Sequence, residues 1–259
     1  MRAQNPKRQQ ALTATDVLIL IALAAILGVL LLPALANNNR RPHRLVCVSN
    51  VRQVSLAFIV WVHDQEKNSL PFRVPFWEGG TQVPAQPFST NVPPPAWSGQ
   101  QNNLWFQYAW LSNELSSPKV LVCSSDKEKK PAENWGTTSK GFRHLNHQDK
   151  SASYNLWPDA GRTGGKFSFE GAQEQILLSD RNLNHENPTT ACSSGITSLR
   201  TVSSNTTVVG WQREKKFGHG ESGVLALLDG SAISANTTEA RKFFQNGDDN
   251  GNLHYMWPR

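Results

Sequence analysis

The stretch VLILIALAAILGVLLL, from Val17 to Leu32, decides the fold because it contains no polar side chain. The residues ALA after Pro33 continue this apolar character to Ala36. Its length is about what a hydrocarbon core requires at roughly 1.5 Å of rise per helical residue. A segment in lipid must satisfy its own backbone hydrogen bonds, so we expect a transmembrane helix over residues 12–36.

A cleaved secretory signal is the alternative interpretation of the same stretch. The basic residues Arg2, Lys7 and Arg8 precede the apolar core, as they do in signal peptides. The sequence PALANN offers a small-residue cleavage site that ends at Ala36. The apolar core is longer than that of a typical signal, which favours the membrane helix.

The composition limits the number of domains, the loop content and the partners that the rest of the chain can have. The 259 residues leave room for one globular domain after the anchor, and the fifteen Pro and eighteen Gly predict long irregular loops. The net charge of +6 comes from scattered basic clusters, and no nucleic-acid motif accompanies them. We therefore expect no nucleic acid as a partner and assign the clusters beside the apolar helix to membrane lipid.

An amphipathic helix is predicted over residues 37–66, directly after the anchor. Apolar residues recur there at alternating spacings of four and three, which is the period of a helix with one buried face. These residues are Cys47, Val51, Val54, Phe58 and Trp61. The two helices together suggest a spine that begins in the membrane and ends packed against a soluble domain.

That soluble domain, residues 67–259, is expected to be α+β with an antiparallel sheet. Residues 72–103 contain repeated Pro and Gly interleaved with Trp and are predicted to be an irregular loop. A short helix is predicted over residues 104–115. Strands are predicted at 120–123, 175–179, 206–211 and 223–228, because these runs are rich in Val, Ile or Leu.

Three cysteines, Cys47, Cys123 and Cys192, lie far apart and form no CxxC pair. This spacing argues against a zinc site or a thioredoxin-like motif. In an exported domain one disulfide is permitted, and a Cys47–Cys123 bond would join a helix to a later strand. Buried free thiols are the alternative.

Near the C-terminus, GVLALL and SAISA flank Asp229-Gly230, a pair that favours a two-residue type I′ hairpin turn. His219 lies in the Gly-rich approach to the first of these strands. A histidine oriented by a carboxylate is a common catalytic arrangement, but no nucleophile is marked anywhere in the sequence. We therefore expect the protein not to be an enzyme.

Two other segments have the spacing of metal ligands. His144-x-x-His147 is followed by Asp149, but the segment has no apolar periodicity and lacks the Glu of a zincin motif, so we expect a solvated loop. The other matches the first half of an EF-hand but lacks the Glu at position twelve, so calcium binding and an ordinary Asx-Gly turn stay open. Its residues are Asn246, Asp248 and Asn250. We expect no other cofactor.

Three stretches together resemble the type IV prepilin family, and more closely its pseudopilin-like branch with an H-x9-DG segment. They are ALTATDVLILIALAAILGVLLLPALA, LVCVSNVRQVSLAFIVWVHDQEKNSLP from Leu45 to Pro71, and HGESGVLALLDG from His219 to Gly230. Shorter similarities are SPKVLVCSSD, ending at Asp126, and ILLSDRN, ending at Asn182.

The resemblance implies a short leader, residues 1–11, that a prepilin peptidase removes between Ala11 and Leu12, followed by methylation of the new N-terminus. It implies that Asp16 recruits the subunit during assembly and that Pro33 occupies the position where the family commonly has proline. Here Ala11 replaces the Gly and Asp16 the Glu that the family prefers. The implied fold is pilin-like, with a long N-terminal helix and a C-terminal α+β domain.

The resemblance also implies a function. We expect a structural subunit with a single pass through the inner membrane and its C-terminal domain in the periplasm or at the cell surface. It would assemble with other pilin or pseudopilin subunits into a pilus or a type II pseudopilus for protein secretion. The alternative is a membrane-anchored surface or periplasmic binding module that does not polymerise. It would bind carbohydrate or another ligand through the Trp-rich loop, which contains Trp77 and Trp97, and the Asx-rich C-terminus.

Overall fold

Four α-helices are present in the part of the chain that the structure describes. The computed structural model describes residues 14–38, 40–67, 69–83, 96, 98–163, 166–167, 172–184, 199–203, 209–214, 217–246 and 252–258. The helices are α1 (Ala14–Asn38), α2 (Arg40–Asp64), α3 (Leu104–Trp110) and α4 (Thr237–Asn246). The chain divides into two compact units, Met1–Pro42 and His43–Arg259.

The second unit is built on a six-stranded antiparallel sheet with the order β6-β10-β1-β4-β8-β9. Two short antiparallel pairs of strands, β2 with β3 and β5 with β7, lie outside it. The strands are β1 (Tyr154–Leu156), β2 (Arg162–Thr163), β3 (Lys166–Phe167), β4 (Ile176–Asp180), β5 (Leu183–Asn184), β6 (Leu199–Ser203), β7 (Gly210–Trp211), β8 (Ser222–Leu227), β9 (Ala232–Asn236) and β10 (Asn252–Met256). The expected α+β class with an antiparallel sheet is confirmed.

The sheet lies between α2 and α4 and has a hydrophobic core on each face. Along β8, Val224 and Ala226 belong to the core that contains α2, whereas Leu225 and Leu227 belong to the core that contains α4. This alternation follows from the two-residue period of a strand. Because both faces are covered, β8 is buried from Gly223 to Leu227, and it lies between β4 and the edge strand β9.

The predicted apolar stripe of α2 is confirmed, since all five of its members are buried at 3 % exposure or less. Hydrophobic burial on this face explains why the helix belongs to the core of the second unit. Among the residues whose side chains are described, His43–Asp64 is the one helix long and apolar enough to cross a membrane. However, 44 % of its most apolar 18-residue stretch is buried inside the protein. Core helices of globular domains can be equally long and apolar, so length and composition do not distinguish the two cases.

One local prediction is wrong, and one predicted helix is present but shorter than expected. Residues 120–123 do not form a strand, because the chain makes a 3-10 turn over Pro118–Leu121. Pro118 provides the fixed φ at the first position, and Ser117 Oγ accepts a hydrogen bond from the backbone N–H of Lys119. The helix predicted over 104–115 ends at Trp110 and is followed by turns.

Candidate functional site

The helix α2 and the strand β8 lie side by side and run in the same direction. Arg44 Nη2 donates to Ser222 Oγ at 2.8 Å, and Ser55 Oγ donates to the carbonyl oxygen of Leu227 at 3.1 Å. The helix rises about 16 Å between its two contact residues. The strand rises about 16 Å between its own two. Because the two rises are equal, residues at both ends of this helix segment contact the same strand.

The H-x9-DG segment spans this contact from end to end. His219 lies just before β8, and Asp229-Gly230 lies just after it. A β-carbon on Gly230 would lie 2.9 Å from Leu56 Cδ2 and 3.2 Å from Ile59 Cδ1, so the turn packs closely on α2. The segment therefore contacts the helix at Arg44 and again about three to four turns later, at Leu56 and Ile59.

At the start of α2, Cys47 is joined to Cys123 by a disulfide. Both half-cystines are buried, and His219 Nε2 lies 3.4 Å from Cys123 Sγ. The predicted pairing is therefore present, although Cys123 follows a 3-10 turn instead of lying in a strand. The bond connects α2 to the loop that contains Asp126, which forms the buried ion pair described below.

Asp180, at the end of β4, is the carboxylate next to this histidine. Its Oδ2 accepts a hydrogen bond from the backbone N–H of Val224 at 3.0 Å and lies 3.9 Å from His219 Nε2. Burial raises the pKa of Asp180 to about 8. Burial, together with the positive charges of Arg44 and His43, lowers the pKa of His219 to about 4. At neutral pH this pair is therefore largely uncharged.

A buried ion pair connects the two shorter segments that carry the family resemblance. Arg181 Nε and Nη2 donate to the two carboxylate oxygens of Asp126 at 2.6 and 2.9 Å, and Nη2 also donates to Glu128 at 2.8 Å. The guanidinium lies 4.7 Å from the ring centroid of Phe217. Next along the chain, Asn182 Nδ2 donates to the carbonyl oxygens of residues 220 and 222.

The segments of the resemblance that follow α2 thus meet along this helix. The sequence analysis named His219 and the cysteines but missed Asp126, Asp180 and Arg181. The sequence did contain a sign of these residues. Asp126 closely follows the apolar run VLVC, and Asp180 and Arg181 follow the apolar run ILL, and a charge close to a buried segment is costly unless it is paired. We name this group the α2–β8 site, comprising the disulfide and residues 126, 180, 181, 219, 222, 229 and 230.

The structure does not bring His219 and Asp229 together. They lie at opposite ends of β8, and Asp229 is exposed, with its Oδ1 accepting a hydrogen bond from the backbone N–H of Ser231 at 2.7 Å. The turn also differs from the predicted two-residue type I′. Only Gly230 of the pair has a positive φ, at 82°, and Leu227 and Ser231 bracket a three-residue loop.

Among the described residues, the other candidate metal ligands do not come together in a site. His147 uses both ring nitrogens, with Ser151 Oγ at 2.8 Å and the carbonyl oxygen of Ser139 at 3.1 Å. Asp149 Oδ1 instead accepts the backbone N–H of Trp105. Of the calcium candidates, Asn246 is the last residue of α4, and the other two, Asp248 and Asn250, lie outside the described residues.

At the N-terminal end, the proposed cleavage position between Ala11 and Leu12 lies outside the described residues. Asp16 lies in the first turn of α1, and Pro33 lies within the same helix. In the irregular loop, Trp77 is 39 % exposed, whereas Trp97 is also outside the described residues. No protein-family model, curated protein or solved structure matches the chain.

Proposed function

We propose that this chain is a non-enzymatic, pseudopilin-like structural subunit. Residues 12–36 hold it in the inner membrane as a single pass, and its C-terminal domain lies in the periplasm. The subunit assembles through its N-terminal helix into a pilus or a type II secretion pseudopilus, with a prepilin peptidase and other pilin or pseudopilin subunits as its partners.

The observation that carries this proposal is the exposure of α1. Every side chain from Ala14 to Leu27 is exposed, and the large apolar ones from Val17 onward are 45 to 66 % exposed. A helix that is apolar around its whole circumference matches lipid or other apolar helices better than water. Packing of such helices in a membrane supports the assembly of subunits.

The α2–β8 site supports a mechanical function for the second unit. The helix is attached to the sheet by hydrogen bonds at both ends of β8 and by close packing at Gly230, and a disulfide attaches it to the loop at Cys123. A load applied to this helix is therefore passed to β8, an interior strand of the sheet. A structural subunit needs such an attachment, whereas it needs no substrate site.

Asp16 gives the sharpest test of assembly. An acidic group within an apolar membrane segment is costly unless it is paired, and in this proposal it pairs with the free amino terminus of a neighbouring subunit. Asp16→Ala should abolish filaments in electron micrographs of cells producing the protein. Asp16→Glu, which keeps the charge, should assemble, and so should Glu133→Ala, which removes an exposed carboxylate elsewhere. Normal filaments from Asp16→Ala would refute the assembly mechanism.

The N-terminus of the membrane-extracted protein tests processing separately. A methylated start at Leu12 supports the prepilin interpretation. A start at Asn37 would mean that the apolar stretch is a cleaved signal, and an intact Met1 would mean an unprocessed anchor. N-terminal sequencing and intact-mass measurement distinguish these three products.

An aromatic groove favours the membrane-anchored binding module as a second candidate. The groove has a volume of about 320 Å³ and is lined by Trp105, Phe106 and Trp110, with Arg143 at its side. Aromatic faces with a flanking donor are suited to stacking on sugar rings. Glycan binding that Trp110→Ala abolishes, in a protein that forms no filaments, would support this candidate over the first.

A further inference from the structure

The α2–β8 site contains three metal-ligating atoms in a tight group. The two Sγ atoms of Cys47 and Cys123 and the ring nitrogen of His219 all lie within 4.8 Å of one another. The cysteines are 0 and 1 % exposed, and the His219 side chain is 4 % exposed. In the described structure the two sulfurs are bonded to each other, so neither is free to bind a metal ion.

The geometry fits a tetrahedral site once that bond is reduced. Zinc–sulfur and zinc–nitrogen bonds of about 2.3 and 2.0 Å place a sulfur and a nitrogen ligand roughly 3.5 Å apart. His219 Nε2 already lies 3.4 Å from Cys123 Sγ. The two sulfurs would have to separate to roughly 3.8 Å. Their Cα atoms are 5.1 Å apart, so rotation about the Cβ–Sγ and Cα–Cβ bonds can supply that change.

The ligand chemistry favours Zn²⁺. Thiolate and imidazole together select zinc over the hard cations that prefer oxygen. Two thiolates and a neutral imidazole also leave a bound Zn²⁺ with no net charge, which suits a buried position because an unbalanced charge there is costly.

We propose that reduction of the Cys47–Cys123 disulfide converts this cluster into a Zn²⁺ site with Cys47, Cys123 and His219 as ligands. A dithiol supplies the two electrons and two protons, so that the disulfide becomes two thiols and the dithiol becomes its own disulfide. Each thiol then loses a proton as its sulfur binds the metal. Water completes the four ligands, and His219 binds through Nε2. The site is independent of whether the protein assembles into filaments.

One consequence concerns the attachment of α2. In the oxidised protein a covalent bond connects Cys47 of the helix to Cys123. In the reduced protein the metal ion would bridge the same two residues and add His219 to the link. The helix would therefore stay attached to the domain in both redox states.

Co²⁺ is a suitable probe because its visible and near-ultraviolet absorption reports tetrahedral thiolate coordination. The full-length protein with Cys192→Ser, in detergent, is reduced with dithiothreitol, freed of reductant under anaerobic conditions and titrated with Co²⁺. We expect thiolate-to-cobalt charge-transfer and tetrahedral ligand-field bands at one ion per chain, and loss of the bands when Zn²⁺ is added. The unreduced protein should show no bands.

His219→Ala should weaken Co²⁺ binding on the order of tenfold or more, since the loss of even an outer-shell group costs about that much. His147→Ala is the matched control, because its imidazole lies outside the cluster, and its affinity should be unchanged. The absence of bands in the reduced protein would overturn the proposal. Equal affinities of the His219→Ala and unsubstituted proteins would also overturn it, since they would indicate binding by thiols without the folded site.

Discussion

At the residue scale, each member of the H-x9-DG segment has its own physical task. His219 contacts the buried disulfide, Asp229 holds the turn by accepting a backbone hydrogen bond, and Gly230 supplies a positive φ next to α2. The carboxylate and the imidazole therefore act at opposite ends of β8. The motif residues are explained by how a helix is held on a strand, and His219 and Asp229 lie too far apart to act as a pair.

Gly230→Ala should destabilise the domain for two reasons. An L-residue in the left-handed region costs roughly 1–2 kcal/mol. The added β-carbon would also press on Leu56 and Ile59, which adds an overpacking cost of about 1 kcal/mol. Gly99→Ala is the matched control, because Gly99 has a φ of 97° but no atom within 4 Å of the new β-carbon. Urea denaturation should show a larger loss of unfolding free energy for Gly230→Ala. Equal losses would mean that the contact with α2 contributes nothing.

Lys129 predicts a dependence of stability on pH. Burial, helped by the positive charge of Arg181, lowers the pKa of Lys129 from 10.5 to about 8. Between these values the unfolded state retains a proton that the folded state has lost, so stability rises with pH. Relative to Lys129→Met, the unfolding free energy of the unsubstituted protein should rise by up to about 1.4 kcal/mol per pH unit in this window and be flat below it. Denaturation of both proteins from pH 7 to 10.5 provides the check, and a constant difference would contradict it.

At the element scale, the contact between α2 and β8 depends on a match of lengths. A helix advances about 1.5 Å per residue and a strand about 3.3 Å, so roughly two helical residues pass for each strand residue. The contacts from Arg44 and Ser55 to the two ends of β8 follow that ratio. The disulfide then fixes the register at the N-terminal end of the contact.

Removal of the disulfide should weaken the domain substantially. The bond closes a sequence separation of 76 residues. The loop-entropy model gives a stabilisation of about 4 kcal/mol for a loop of this size. Cys47→Ala with Cys123→Ala should therefore lower the unfolding free energy by about that amount in urea, whereas Cys192→Ala should leave the disulfide intact. Equal stability of the double variant and the unsubstituted protein would show that the bond is incidental.

At the scale of the whole molecule, α2 belongs to the core of the second unit. The boundary between the two compact units follows Pro42, so His43 onward is grouped with the sheet. A fragment of residues 43–259 should fold with a cooperative thermal transition and remain in solution without detergent. A fragment of residues 67–259 should not fold, because it lacks the helix that covers one face of the sheet. Circular dichroism of both fragments tests this, and a cooperative transition in the shorter fragment would contradict the assignment.

Part of the α2–β8 site was predictable from local pattern. The stripe from Cys47 to Trp61 indicated which helix face is buried, and Asp229-Gly230 indicated a turn. The ion pair between Asp126 and Arg181 was not predictable, because the partners are joined only when the end of β4 and the loop after the 3-10 turn Pro118–Leu121 are brought together. The type of turn was also missed, since Asp-Gly suits both a two-residue and a three-residue loop.

The sequence by itself determined the class of fold, the apolar N-terminal helix, the buried face of α2 and the segments of two interior strands, β4 and β8. These features depend on the periodicity and composition of neighbouring residues, which act over a few turns or a single strand. Only the tertiary structure decided that the cysteines are bonded, that His219 lies beside them with Asp180, and that Asp229 lies far from both. Those facts depend on which distant segments pack together, and side-chain spacing along the chain does not specify that packing.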